Sequence, residues 1–130
     1  MSSIRQGRIV YVPTLDPQGR NPKTRPAVVV TPDDRIAAGG VVRVVAVTGT
    51  FGQAPREVTV ELPWDRAGHP RTKLRQPGEA VCSWAFDVAV DELTDTGGFV
   101  PDRWLSRILL IVAELEAAPP EPPPPPPPPG

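Results

Sequence analysis

The chain is poor in the residues that most often carry chemistry. It holds one cysteine, Cys82, and one histidine, His69, among 130 residues. A single cysteine excludes an intramolecular disulfide and a cysteine metal cluster. Cys82 stands in an apolar run, where it reads as a small buried residue rather than a nucleophile. No spacing of ligand types suggests zinc, and Asp33-Asp34 in a turn is a weak carboxylate site, so neither a metal nor another cofactor is expected. A Ser-His-Asp or Cys-His arrangement would have to use His69, which sits between Gly68 and Pro70 in a turn-rich loop. There is no Gly-x-Ser-x-Gly and no phosphate-cradling loop before a helix. Long apolar runs are also missing. Met1-Ser2-Ser3-Ile4-Arg5 has no apolar signal region, and no run approaches the ~18 residues that would span a bilayer. No membrane contact is expected, and a cytoplasmic location is the default.

Proline, in contrast, is abundant: 20 residues, ten of them between Pro119 and Gly130. That tail can be neither helix nor central strand and is expected to be extended or disordered. What precedes it, residues 1–118, is one ordinary domain. The net charge of −1 hides an asymmetry. Residues 1–75 carry 12 Lys/Arg against 6 Asp/Glu, and residues 76–130 carry 2 against 9. A polyanion, if one is bound, belongs on the first part.

The first 90 residues read as short strands between turns. Ile9–Val12, Ala27–Val30 and Val41–Thr48 are β-branched runs, and Glu57–Leu62 alternates polar and apolar residues. Ala80–Trp84 and Phe86–Val90 are two further candidates. Turns rich in Gly, Pro and Asp separate them. Such spacing predicts a mainly β fold, a small sandwich or barrel. After Gly97-Gly98 the pattern becomes helical. Pro101-Asp102 opens a helix in which Trp104, Ile108, Ile111, Val112 and Leu115 fall on one face, widened by Leu105, Leu109 and Leu110. This face should be buried against the barrel or a second subunit.

Three places could hold chemistry. The segment from Leu15 to Pro26 is long, polar and basic, with Arg20 and Lys23 before Arg25; long loops in small domains tend to be functional. Arg25 stands at the foot of a strand, and a backbone-held arginine suits bidentate contact with phosphate. Thr48 ends a strand before Gly49-Thr50-Phe51-Gly52, where its hydroxyl could bond a phosphate oxygen. Trp64 precedes Arg66, His69, Arg71, Lys73 and Arg75, an aromatic beside a basic run that suits single-stranded RNA or a dimer mate.

Taken together these pieces resemble the PemK/MazF family of toxin endoribonucleases. Gly7-Arg8-Ile9-Val10-Tyr11-Val12, leading into Asp16-Pro17 and Gly19, is similar to the family's opening strand and loop. Arg25-Pro26-Ala27-Val28-Val29-Val30 is similar to its Arg-Pro-hydrophobic strand. Val44–Thr48 is similar to the strand ending in Thr-Ser. Val81-Cys82, Gly98-Phe99-Val100 and the closing helix are similar to its final third. The resemblance covers about residues 5–117. It implies an SH3-like barrel of five to seven strands with a C-terminal helix, a homodimer, and metal-independent cleavage of single-stranded RNA. In that chemistry the ribose 2′-hydroxyl attacks the adjacent phosphate, leaving 2′,3′-cyclic phosphate and 5′-hydroxyl ends. The resemblance makes Arg25 and Thr48 the catalytic pair, and Gln18, Arg20, Asn21, Lys23, Thr50, Trp64, Arg66 and Arg71 are the expected RNA contacts. It also implies a cognate antitoxin whose acidic segment covers the RNA groove.

The sequence departs from the family pattern twice. Gly19-Arg20-Asn21 stands where many members have Gly-x-Glu, and Asn21 cannot act as a base. Ser83-Trp84 stands where many have Asp-Gln. Trp84 is expected to fill the barrel rather than stack on a base. The acceptor of the 2′ proton is thus left unassigned. Two other functions stay open: a non-catalytic RNA- or protein-binding module on the same fold, and a CcdB-like gyrase poison. The helix end Glu114-Leu115-Glu116-Ala117 does not resemble the ending on which that poison depends.

Overall fold

The computed structural model describes residues 4–14, 23–37, 39–52 and 54–117. Gln18, Arg20, Asn21 and the polyproline tail lie outside the described residues. Six strands, β1 (Arg8–Thr14), β2 (Lys23–Val29), β3 (Val41–Thr48), β4 (Thr59–Leu62), β5 (Gly78–Ala89) and β6 (Thr94–Phe99), precede one helix, α1 (Asp102–Ala117). They form one antiparallel sheet in the order β4-β5-β3-β2-β1-β6. β4 and β6 occupy opposite edges, and the sheet curls into a half-barrel with the helix against it.

The central strands are valine-rich because both of their faces are covered. On the helix side Ile9, Val28, Val45, Val47, Leu62, Ala80 and Cys82 pack with Ile108, Ile111 and Val112. On the other side Val10, Val12, Ala27, Val29, Val42, Val44 and Val88 form a second cluster. Alternation along β2 and β3 therefore divides apolar residues between two cores. The same alternation places Arg25 and Thr48 on the second face, in line with Ala27 and Ala46.

Two expectations are corrected, and one strand is added. Ala80–Trp84 and Phe86–Ala89 are not separate strands but parts of β5, joined across an irregularity, and Val90 opens a 3-10 turn. On one side of it Val45 pairs with Ala85, and on the other Val47 pairs with Ala80. Val81 to Trp84 thus stand against Ala46 alone, a bulge that bends β5 and frees its first residues to pair with β4 as well. Glu57-Val58 belongs to a single 3-10 turn, Arg56–Val58, and β4 begins only at Thr59. Thr94–Phe99 is a strand that the sequence pattern does not signal, because it offers one apolar side chain and two glycines. It exists through pairing with β1.

The helix starts where proline suggests: the Pro101 carbonyl accepts from the Trp104 and Leu105 amides at 3.0 Å each. Its buried face is narrower than its apolar sequence implies. Ile108, Ile111 and Val112 are buried, whereas Leu110 is 59% and Leu115 41% exposed. Gly98 is required by a close approach rather than by backbone torsion. A Cβ there would overlap the Thr72 carbonyl oxygen, and the neighbouring Phe99 amide bonds the Arg71 carbonyl at 2.9 Å.

Candidate active site

Arg25 and Thr48 come together. Both line an open groove of about 620 Å³ with Tyr11, Gly49, Lys73 and Arg75. The pairing of β2 with β3 explains why. Ala27 is opposite Ala46 and Val28 opposite Val45; the same register carried two residues on sets Arg25 across from Thr48. Pro26 helps keep Arg25 extended, and Arg25 pairs with Val12 of β1 on its other side.

The Arg25 guanidinium lies over the Trp84 ring, 5.5 Å from its centroid. Trp84 is half-buried and outside both core clusters, so the expectation that it fills the barrel is corrected. The β5 bulge places it beneath Arg25, where it holds the cation by its π face. Among the described residues Arg25 makes no ion pair, and its Nε is enclosed without a hydrogen-bond partner. A guanidinium supported from below and unpaired at its edge is ready for an anion. Thr48 is 5% exposed. Its Oγ1 accepts from the Thr50 amide at 3.1 Å, which fixes the hydroxyl at the start of the turn.

Lys73 and Arg75 reach the groove because residues 63–75 form a tightly bonded loop. Thr72, fully buried, donates from Oγ1 to the Pro63 carbonyl at 2.8 Å and accepts from the Leu74 amide at 3.2 Å. His69 Nδ1 accepts from the Arg71 and Thr72 amides at 3.1 and 3.2 Å. The imidazole is therefore an acceptor at Nδ1 and braces the loop. Lys73 takes φ 63°, the left-handed region that a lysine enters at some cost, and it does so at the groove wall.

The other expected contacts are placed differently. Trp64 is 45% exposed, and Arg66 and Arg71 are exposed; none of the three lines the groove. Thr50 is exposed in the turn after β3 and touches the site through its amide. Lys23 opens β2, and its side chain lies outside the described residues, as do Gln18, Arg20 and Asn21. Sequence reading reached Lys73 and Arg75 only as members of a basic run. It missed Tyr11, which is 44% exposed at the groove edge. Cys82 is 2% exposed, and burial pushes its thiol up to about 11, against a lowering influence of Arg107. It is a core residue.

This architecture matches solved structures at low identity. An endoribonuclease from a mycobacterial species is 21% identical with a TM-score of 0.64, over 92% of this chain and 98% of that one. MazF from Deinococcus radiodurans is 17% identical with a TM-score of 0.67, over 89% and 98%. A mycobacterial endoribonuclease in complex with its cognate antitoxin is 18% identical with a TM-score of 0.63, over 90% and 98%. These similarities define the fold. No curated protein sequence matches the chain. The sequence matches the family described as PemK-like, MazF-like toxin of type II toxin-antitoxin system over residues 5–115, and the chain belongs to that family.

Proposed function

We propose that the protein is a toxin-type endoribonuclease that cleaves single-stranded RNA by attack of the ribose 2′-hydroxyl, without a metal, giving 2′,3′-cyclic phosphate and 5′-hydroxyl ends. The observation that carries this reading is the pairing of Arg25, cradled by Trp84 and unpaired at Nε, with Thr48 in one cationic groove. In-line attack makes a phosphorane with an additional negative charge. A fixed guanidinium stabilises that charge more than it stabilises the ground state. Arg25 then gives a proton to the leaving 5′ oxygen, and Thr48 orients a non-bridging oxygen. Lys73 and Arg75 hold the flanking phosphates.

The same reading includes a cytoplasmic protein, a cognate antitoxin and a homodimer. The MazE-MazF structure from Deinococcus radiodurans and the mycobacterial endoribonuclease in complex with its cognate antitoxin support the antitoxin partner. Exposed Leu110 and Leu115 on α1 are apolar surface that a second copy would cover. Among the described residues, no helix is long and apolar enough to cross a membrane.

The test is incubation of purified protein with a defined single-stranded RNA in EDTA, followed by end-group analysis. Cyclic phosphate ends support the reading. RNA that stays whole, or ends with 5′-phosphate, overturns it.

A further inference from the structure

The proposed reaction needs an acceptor for the 2′ proton, and among the described residues the groove lining offers none. These residues include Arg25, Lys73 and Arg75 but no carboxylate. The arginines of the lining carry N–H donors and no acceptor. The Nδ1 of His69 is already taken by two backbone amides.

A carboxylate stands behind this lining. Glu79, next after the groove residue Gly78, is only 6% exposed, although glutamate is among the residues least often buried. Its Oε1 is enclosed with no hydrogen-bond partner. Its place on the sheet is fixed. Val47 pairs with Ala80, and both belong to the helix-side core. Thr48 pairs with Glu79, one residue along, so these two project from the opposite face, the face of Arg25. Arg25, Thr48 and Glu79 therefore form one row across β2, β3 and β5.

The two ends of that row have complementary needs. Arg25 Nε is an enclosed donor without an acceptor, and Glu79 Oε1 is an enclosed acceptor without a donor. Buried charges are ordinarily paired, and an unmet polar group gains from whatever meets it. These two do not meet each other: among the described residues no ion pair joins them. Two strand spacings put their backbones about 10 Å apart, within reach of the two side chains through one ribose–phosphate unit. Such a unit offers a hydroxyl donor next to phosphate acceptors.

We infer that Glu79 is the catalytic base, receiving the proton of the 2′-hydroxyl while Arg25 holds the neighbouring phosphate; this rests on the ribonuclease reading above. The 2′ oxygen forms a bond to phosphorus, and the bond from phosphorus to the 5′ oxygen breaks. The 5′ oxygen takes a proton from Arg25, and the proton on Glu79 returns to the guanidinium through water. Glu79 also supplies a requirement for ribose, since a 2′-deoxy strand has no proton for it.

The test compares wild type with Glu79→Gln, which keeps shape and removes the base. Three quantities are read: single-turnover cleavage of a defined RNA, Kd for the 2′-deoxy strand of the same sequence, and Tm. Cleavage is expected to fall 10²- to 10⁴-fold, with Kd unchanged and Tm unchanged or higher. Cleavage within twofold of wild type overturns the assignment. Parallel loss of cleavage, binding and Tm also overturns it, because the role is then structural. Glu79→Asp is the second variant. Withdrawing the carboxylate by one methylene should slow cleavage at least tenfold in a folded protein, and an unchanged rate again overturns the assignment. A wild-type protein that leaves RNA whole removes the ribonuclease reading and this one with it, whereas wild-type cleavage with an unaffected Glu79→Gln removes this one alone.

Discussion

Two arginines on neighbouring strands have opposite surroundings. Arg43 of β3 faces the helix side. Its Nη1 donates to Asp87 Oδ1 at 3.2 Å, and its Nε lies 2.7 Å from Glu116 Oε1 in an ion pair without hydrogen-bond alignment. Arg25 of β2 faces the other side, where among the described residues no acid pairs with it and an indole ring lies beneath it. The first arginine has its charge met by the protein and joins the end of α1 to the sheet. The second has its charge supported by a ring and, among the described residues, met by no acid. Neighbouring strands of one sheet thus hold one arginine in ion pairs and another on an aromatic face.

This contrast can be broken experimentally. Arg25→Ala should have the largest effect: RNA cleavage falls ~100- to 1,000-fold, while Tm stays within a few degrees of wild type. Equal cleavage by wild type and variant would remove Arg25 from the site. On the helix side, Ile108→Ala leaves a cavity in a fully enclosed position and should lower unfolding free energy by about 3 kcal/mol in urea titration. Its cleavage per folded molecule should not change. Trp84→Leu removes the ring under Arg25 and should weaken transition-state stabilisation by about 1 kcal/mol, a several-fold drop in kcat. Arg43→Ala breaks ion pairs between partly exposed groups and should cost at most ~1 kcal/mol of stability with no change in cleavage.

Cys82 sharpens the same division through pH. Its folded-state pKa is raised above its ordinary value by burial, to about 11. The stabilisation linked to it is therefore complete below its unfolded value of 9.0 and is lost as pH rises toward 11. Tm of wild type should fall more between pH 9 and 11 than Tm of Cys82→Ala, and parallel curves would refute the burial of the thiol.

Much of this was legible in the chain. The valine runs of β2 and β3, the proline before α1 and the dipeptide Arg25-Pro26 are local signals, and each element formed near where its signal lies. The boundaries failed where pairing outweighs composition. Thr94–Phe99 carries no strand signal of its own and is ordered by β1. β5 reads as two strands because four residues are bulged between its ladders. At the site, Arg25 and Thr48 were visible as strand ends. Glu79 was not, because Gly78-Glu79-Ala80 is no motif; its meaning comes from standing opposite Thr48. Trp84 looked like core because indole is apolar, yet the bulge turns it toward the cation. The basic run after Trp64 could not be divided by composition, since Arg66, Arg71, Lys73 and Arg75 are chemically alike. The hydrogen bonds of Thr72 and His69 divide them.

The scarcity of histidine and cysteine, by itself, excluded an intramolecular disulfide, a cysteine metal cluster and any site built on a pair of histidines. Alternation and proline placement determined the strands, because side-chain period and fixed φ are local properties. Only the tertiary structure decided which charges are met and which are not. That depends on register across β2, β3 and β5, and register is a relation between residues fifteen or more positions apart that no local pattern records.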